Sequence, residues 1–535
     1  MKSKFKILLF LLLALAFLLR VWQVGERPTF ISDEASIGYN AYSVLKTGKD
    51  EWGEFLPLSF KSFGEYKLPL YIYAAVPSIA LFGLSETATR LPSVLAGVAA
   101  VWLIFLLGRQ LFSEKVGFLA AFFLAINPWH FEVSRLALEA NLALSLVLAG
   151  IYFLLLAEKS KRALYFSFLL LTTSFYTYNS CRLFVPLFLF LFFFFQRKTW
   201  IRILKRNWLV LVMVLVLSLP ILLSGFQGSS QRLAKVSIFT DPGIISRLEE
   251  KRVRCLEENN YFLCRVFYNR PLTYTQILTK NYLSHFSLQY LFSEGSGLAQ
   301  YSVPERGALH LFELPLMVLA LIFLLKEKKK KLLIFFGLWA LTAPIANSLT
   351  GGAHPVRALV LLPVFPLFSA IGADFTLSLF KQKGLRLGLG LLLTSVILVS
   401  LVSYLASYFI FYPQQPGSTW QEGYKNLYSK LKQREADFNK ILVTKFYGEP
   451  HIFYLFYQRF DPQTYQENQE VVRYDRIDGW VNVDQIGKYY FQDKIDIQEG
   501  SLCGLTPKEA DEELEVLDQV AWKNGELSFL IGKEK

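Results

Sequence analysis

The sequence predicts a mainly α-helical, polytopic membrane bundle carrying a small α/β domain at its C-terminal end. Three observations support this. The 535-residue chain is 53% hydrophobic and 16% aromatic, with 48 Phe, a combination that soluble domains rarely show. Its Lys and Arg fall in short bursts between apolar runs, which is the pattern of membrane topology. Residues 413–535 then change to a mixed, water-compatible composition. The formal charge of +13 is spread through the bursts and forms no binding face, which argues against nucleic acid as a partner.

The opening MKSKFKILLFLLLALAFLLRVWQVG has a basic start and a cleavage-like ALA, as a secretory signal peptide would. Its apolar run continues past that point to Val24, so it reads as an uncleaved signal anchor. Further apolar segments fall at 68–84, 90–108, 116–129, 136–157, 163–178, 182–195, 208–225, 309–325, 332–349, 358–376 and 387–411. The basic bursts at Lys2/Lys4/Lys6, Arg109/Lys115, Lys159/Lys161/Arg162, Arg197 to Arg206, Lys326 to Lys331 and Lys381 to Arg386 should all face the cytoplasm. That holds only if one segment does not cross. LPLYIYAAVPSIALFGL at 68–84 is short and carries Pro69 and Pro77, which disfavour a full span. Read as interfacial, it leaves about eleven spans, a cytoplasmic N-terminus and an extracytoplasmic tail.

The expected organisation is a membrane domain over 1–412, with outer loops 25–89 and 226–308, followed by an extracytoplasmic α/β domain over 413–535. In the tail, KILVTKFY reads as a strand and EPHIFYLFYQRF as a helix. EVLDQVAWKNGELSFLIG reads as a hairpin turning at Asn524-Gly525. Cys255 and Cys264 share an outer loop, where a local disulfide and a pair of free thiols are both open readings. No Cys/His spacing resembles a zinc site.

The apolar spans hold almost no ionisable groups at mid-depth. A transporter places such groups near the midplane, where both sides can reach them. Here the unusual charges gather at the outer boundary, which favours chemistry there over passage. Asp33 and Glu34 stand together after the first span, where an ordinary acidic flank is the plain alternative. Lys67 precedes Pro69 at the interfacial stretch, either snorkelling or presented to a lipid phosphate. Arg135 and Glu139 are one helical turn apart in NPWHFEVSRLALE, an i,i+4 ion pair in the plain reading. His354 and Arg357 lie in TGGAHPVRAL, with Arg90 and Arg182 as further cations at outer helix ends. Together these suit glycosyl transfer from a lipid phosphate. The leaving phosphate needs Arg or Lys, and the acceptor hydroxyl needs a carboxylate base, a role open to aspartate, which ordinarily titrates near 4.

The stretches ISDEASIGYNAYSVLKTG, YKLPLYIYAAVPSIALFGLSETATRLPSVLAG and GRQLFSEKVGFLAAFFLAINPWHFEVSRLALE resemble the protein O-mannosyltransferase and aminoarabinose-transferase group of the glycosyltransferase C superfamily. The resemblance is good over residues 5–200. It is looser to about 410, through NYLSHFSLQYLFSEG and HPVRALVLLPVFPLFSAIG, and absent from the tail. It implies a multi-pass plasma-membrane enzyme that moves a sugar from a polyprenyl-phosphate donor, among membrane lipids, to a hydroxyl of a protein, lipid or polysaccharide. It also implies juxtamembrane helices in the first outer loop.

Carried over by position, Asp33 is the base and Glu34 its neighbour. Lys67 matches the basic position before the proline, Arg90 the arginine opening the next span, and Arg135 and Glu139 the Arg/acid pair of the second outer loop. Together with Arg182, His354 and Arg357, which rest on their outer position alone, these cations are the candidates for the donor phosphate. Two features depart from the pattern. The second acid is Glu where Asp is expected, and a single proline stands at 69 where two are common. No metal cluster is evident in the sequence, although some members of the superfamily use a divalent cation, and that reading stays open. An oligosaccharide ligase is the alternative within enzymes, and a flippase or exporter of lipid-linked sugars is the alternative outside them.

Overall fold

The computed structural model describes residues 3–64, 66–224, 237–258, 261–414, 417, 421–476 and 480–535. Parts of loop 226–308 and of the tail therefore lie outside the described residues. The chain divides into two compact units. One comprises Met1–Ala16, Val98–Val133 and Ala143–Ser400; the other comprises Phe17–Gly97, Ser134–Leu142 and Leu401–Lys535.

Every apolar segment read from the sequence carries a helix, and the helices differ in length. Among the described residues, five are long and apolar enough to cross a membrane: Glu86–Leu111, Glu139–Leu156, Lys330–Ser348, Leu359–Leu379 and Lys383–Gln414. A sixth is Cys181–Phe195 with Arg197–Arg206, if this pair, bent by 112°, is one span. The chain is thus a multi-pass membrane protein. Glu114–Ile126, Lys161–Thr173 and Glu313–Lys326 have only 13 or 14 residues. At 1.5 Å per residue these reach roughly 20 Å, short of a hydrocarbon core of about 30 Å. Helix length alone therefore supports fewer crossings than the eleven expected from charge alternation.

In the first unit the abundant Phe is spent on ring packing. Phe184, Phe188, Phe192, Phe335 and Trp339 form a chain of contacts with centroids 5.6–6.4 Å apart. This is the separation at which offset and edge-to-face pairs are favourable. Cys255 and Cys264 are joined in a disulfide, with Cα atoms 5.8 Å apart. It ties helix Pro242–Glu258 to helix Tyr261–Phe267.

The second unit holds the first outer loop and the tail. Four helices matter here: α1 (Ser3–Val21), α2 (Ser32–Thr47), α3 (Pro69–Phe82) and α4 (Glu86–Leu111). Asp33 and Glu34 lie in the first turn of α2, where acidic groups complement the helix dipole. Gly48, at φ 72°, ends the helix and donates its N–H to Val44 O, a left-handed cap that glycine adopts without strain. The short α3 keeps Pro77 inside it and is too short to span, in keeping with an interfacial placement. Between α2 and α3, β1 (Phe60–Lys61) and β2 (Tyr66–Lys67) pair antiparallel, with Phe60 opposite Lys67.

The tail forms a seven-stranded sheet in the order β4-β5-β6-β3-β7-β9-β8. The strands are β3 (Lys440–Thr444), β4 (Val471–Asp475), β5 (Val481–Ile486), β6 (Tyr489–Gln492), β7 (Ser501–Leu505), β8 (Leu514–Ala521) and β9 (Leu527–Glu534). KILVT is the central strand, parallel to both neighbours, and residues 450–457 are helical. The last two strands make a hairpin around Gly525, at φ 88°. These three elements match the sequence reading.

Ile441 and Val443 on one face of β3 join a core that includes Leu427, Phe453 and Phe456 of the tail helices and continues through Ile37, Tyr39 and Tyr71 of the first loop. Tail and loop therefore share one hydrophobic core. Gly38 lets α2 approach closely: a Cβ there would sit 2.6 Å from the Phe456 ring and from Thr89 Oγ1.

Buried in the same unit, Glu51 accepts from Asn40 Nδ2 at 3.1 Å and donates its own N–H to Asn40 Oδ1 at 3.1 Å. Burial pushes its carboxyl from 4.5 up to about 7, against the opposing pull of Asn40 and Arg473. A raised carboxyl favours the fold below the unfolded value, and that contribution is lost as pH rises through 7. We expect Glu51→Gln to behave like wild type near pH 4 and to be more stable by about 3 kcal/mol above pH 8. Thermal unfolding of the purified protein at both pH values checks this; parallel pH profiles for the two proteins would refute it.

Candidate active site

Glu34 and Asp33 are neighbours in sequence but meet different surroundings. Glu34 is fully buried. Its Oε1 accepts from Arg90 Nε at 2.7 Å and from the Ala137 N–H at 2.7 Å, and its Oε2 accepts from Arg90 Nη2 at 2.5 Å. The remaining N–H groups of Arg90 go to Val24 O, Pro28 O and Thr29 O at 2.7–3.1 Å. A guanidinium has five donors, and here all five are used. Arg90 thus binds the turn 24–29 to the start of α2, and no N–H is left over for a phosphate.

Asp33 is different: its side chain is 42% exposed, and Oδ1 accepts from Lys67 Nζ at 2.5 Å. Lys67 is itself buried, held by the β1–β2 pairing with its ammonium 5.8 Å from the Phe63 ring. One of the three donors of the ammonium goes to Asp33.

Arg135 is buried. It donates from Nη1 to Leu19 O and Arg20 O at 2.9 and 3.0 Å, from Nη2 to Arg27 O at 2.9 Å, and from Nε to Tyr408 Oη at 3.1 Å. Leu19 and Arg20 belong to the last turn of α1, whose carbonyls lack partners within the helix. A cation is favoured at that end. Glu139 opens the helix Glu139–Leu156 and is half-buried.

The sequence reading did not include three tail groups near Asp33. Gln421 Oε1 accepts the Ser32 N–H at 2.9 Å, while its amide donates to Tyr447 O at 2.9 Å. This draws the segment 447–449 to the first turn of α2. Glu449, at φ 39°, precedes the helix Pro450–Tyr457. Its carboxyl is pushed up to about 7, chiefly by burial and additionally by Asp33, against Lys445 and Arg476. His451 approaches it at 3.5 Å but is pushed down to about 3 by burial, so it is neutral there. Only the turn-like GEP pattern at 448–450 marks this position in the sequence, and it says nothing of Asp33.

Arg182, His354 and Arg357 lie in the other unit. Arg182 Nε donates to Phe175 O at 3.1 Å, and Arg357 Nη1 donates to Thr350 Oγ1 at 3.0 Å. Burial and the Arg357 charge push His354 down to about 3, so it is neutral at physiological pH and brings no charge to a phosphate. No group of three or more His, Cys, Asp or Glu that could hold a metal ion occurs among the described residues.

A multi-pass bundle with an acidic pair in its first outer loop and a mixed-sheet tail is similar, in part of its sequence and in its fold, to known membrane glycosyltransferases. The family model described as dolichyl-phosphate-mannose-protein mannosyltransferase matches residues 67–223. That stretch holds Lys67, Arg90, Arg135, Glu139 and Arg182; Asp33 and Glu34 precede it. The fold is similar to that of ArnT from Cupriavidus metallidurans bound to undecaprenyl phosphate, with a TM-score of 0.53 at 12% identity, covering 98% of this chain and 97% of that one. The apo form of the same protein gives 0.52 at 13%, with the same coverage. Archaeal oligosaccharyltransferase AglB from Archaeoglobus fulgidus, in complex with an inhibitory peptide and a dolichol-phosphate, gives 0.50 at 12%, covering 90% and 74%. No curated protein matches at the sequence level. The family match covers residues 67–223, and the likeness to the solved structures is one of fold.

Proposed function

We propose that this protein transfers a sugar from a polyprenyl-phosphate donor to a hydroxyl acceptor at the outer face of the plasma membrane, with Asp33 as the base. The observation that carries this reading is the Asp33–Lys67 pair at 2.5 Å, an exposed carboxylate beside a buried ammonium. The acceptor O–H gives its proton to Asp33, its oxygen attacks the anomeric carbon, and the bond to the phosphate oxygen breaks with inversion. Lys67 offsets the charge that develops on the departing polyprenyl phosphate. Undecaprenyl phosphate in ArnT and dolichol-phosphate in AglB support this choice of donor.

In this reading Glu34, Arg90 and Arg135 position the loop. Glu139, Arg182 and Arg357 remain proposed site groups on charge and sequence position alone. The eleven-span topology, with a cytoplasmic N-terminus, an outer tail and a 413–535 extracytoplasmic domain, is part of the proposal. So is an acceptor drawn from protein, lipid or polysaccharide.

Membranes containing the chain, supplied with radiolabelled polyprenyl-phosphate sugars, are expected to transfer label with release of polyprenyl phosphate. Passage of intact lipid-linked sugar across the bilayer, with no transfer, would establish an exporter instead. Transfer of a preassembled glycan in place of a single sugar would establish a ligase.

Glu449 adds a pH signature. Above pH 7 its ionisation places a second negative charge near Asp33 and the site of the donor phosphate. The donor KM is expected to rise roughly 3- to 10-fold between pH 6 and 8, the effect of a charge interaction of about 1 kcal/mol. Glu449→Gln should flatten that rise, and an identical profile in the variant would remove Glu449 from the site.

A further inference from the structure

The first unit contains an open pocket of about 780 Å³, lined mainly by residues 284–305. It is not part of the Asp33 site. Its size lies within the range of pockets that hold small ligands.

The lining is unusual in its chemistry. It offers the hydroxyls of Ser287 and Ser296, the amide of Gln289, the ring of Tyr290 and the carboxylates of Glu294 and Glu305. Its described lining contains no Lys or Arg. A phosphate, a sulfate or an acidic sugar would meet two carboxylates and no cation, so the lining selects against anions.

The wall is built and held in place. Ser287 Oγ donates to Ser284 O at 2.9 Å and accepts the Tyr290 N–H at 3.2 Å. Gln289 Nε2 donates to a Glu294 carboxylate oxygen at 2.5 Å. Gly295 turns the wall at φ 70°, where a Cβ would fall 2.3 Å from Ser302 Oγ. Tyr290 is buried, its ring packed edge-on against Trp129 at 5.6 Å. Its hydroxyl has no hydrogen-bond partner among the described residues, and leaving such a group unpaired costs roughly 1–3 kcal/mol.

We propose that this cavity is a carbohydrate subsite that takes a sugar unit without negative charge, neutral or amine-bearing. A sugar ring matches the lining because each of its hydroxyls both donates and accepts, as the Ser and Gln groups do. The ring could belong to the donor or to the acceptor, and in either case its catalytic meaning rests on the transferase reading. Binding itself does not.

Binding is measured on the full chain in detergent by saturation-transfer NMR, using methyl hexosides, methyl pentosides, a 2-amino hexose and inorganic phosphate. At least one uncharged or amine-bearing sugar is expected to bind in the millimolar range. Ser296→Leu, which fills the cavity, should weaken that binding at least tenfold and leave phosphate binding unchanged. The thermal transition of Ser296→Leu shows whether it is folded, and competition among sugars on the wild type supplies the same test if it is not. Failure of every such sugar to bind the wild type, or full binding by folded Ser296→Leu, overturns the proposal.

Kinetics then separate the two sources. A raised donor KM in both transfer and hydrolysis assigns the cavity to the donor's sugar. A raised acceptor KM with unchanged donor hydrolysis assigns it to the acceptor. Because binding is read without turnover, absence of transfer counts against the transferase reading alone.

Discussion

Asp33→Asn is expected to lower sugar transfer by about 10²- to 10⁴-fold, the range attributed to a positioned general base, while the protein stays folded. The two halves of this expectation have separate grounds. Asparagine keeps an oxygen for Lys67 and fits the first turn of α2, and the side chain it replaces is 42% exposed. Little packing is lost. What is removed is the capacity to take a proton: an amide cannot accept one at neutral pH, so the attacking hydroxyl keeps its proton and stays a weak nucleophile. Donor affinity should hold or rise, because the variant removes a negative charge from beside Lys67. The assay follows label from a polyprenyl-phosphate sugar into acceptor, with donor KM measured separately. Transfer at the wild-type rate by Asp33→Asn would return the residue to an ordinary acidic flank.

Glu34→Ala is expected to act on folding and only secondarily on chemistry. It leaves the Arg90 guanidinium buried with two of its five donors unmet, along with the Ala137 N–H. Removing one partner of a buried pair costs roughly 3–5 kcal/mol, a large share of the stability of an ordinary domain. The variant should give a low yield of folded protein and a lowered thermal transition. Combining Glu34→Leu with Arg90→Met should cost less than the sum of the single changes, because no buried charge is left alone. A stable Glu34→Ala with transfer abolished would instead make Glu34 a catalytic group.

These two outcomes differ for a reason the sequence does not contain. Successive residues on a helix point about 100° apart, so at most one of Asp33 and Glu34 can face a given surface. Adjacency marked the pair; packing of α2 against α3 and the tail helices, with Arg90 paired to Glu34, decided which acid is buried. Arg90 and Arg135 make the same point. Both stand where a phosphate-binding arginine would stand, and both give three or more hydrogen bonds to main-chain carbonyls at a turn and a helix end, with the others going to Glu34 and Tyr408. An arginine reads the same in sequence whichever oxygen it meets.

Composition and periodicity by themselves determined that the chain is a multi-pass membrane protein, that 68–84 forms a helix too short to span, and that the tail is an α/β sheet ending in a hairpin at Gly525. These are properties of local residue patterns, and local patterns survive in a one-dimensional reading. Only the tertiary structure decided that the tail shares a core with the first loop, that Gln421 and Glu449 come to the start of α2, and that Lys67 holds Asp33. Each of these joins residues far apart in the chain. The physical reason is that burial and hydrogen-bond partners are set by what packs against a side chain, and a sequence lists neighbours along the chain, not across it.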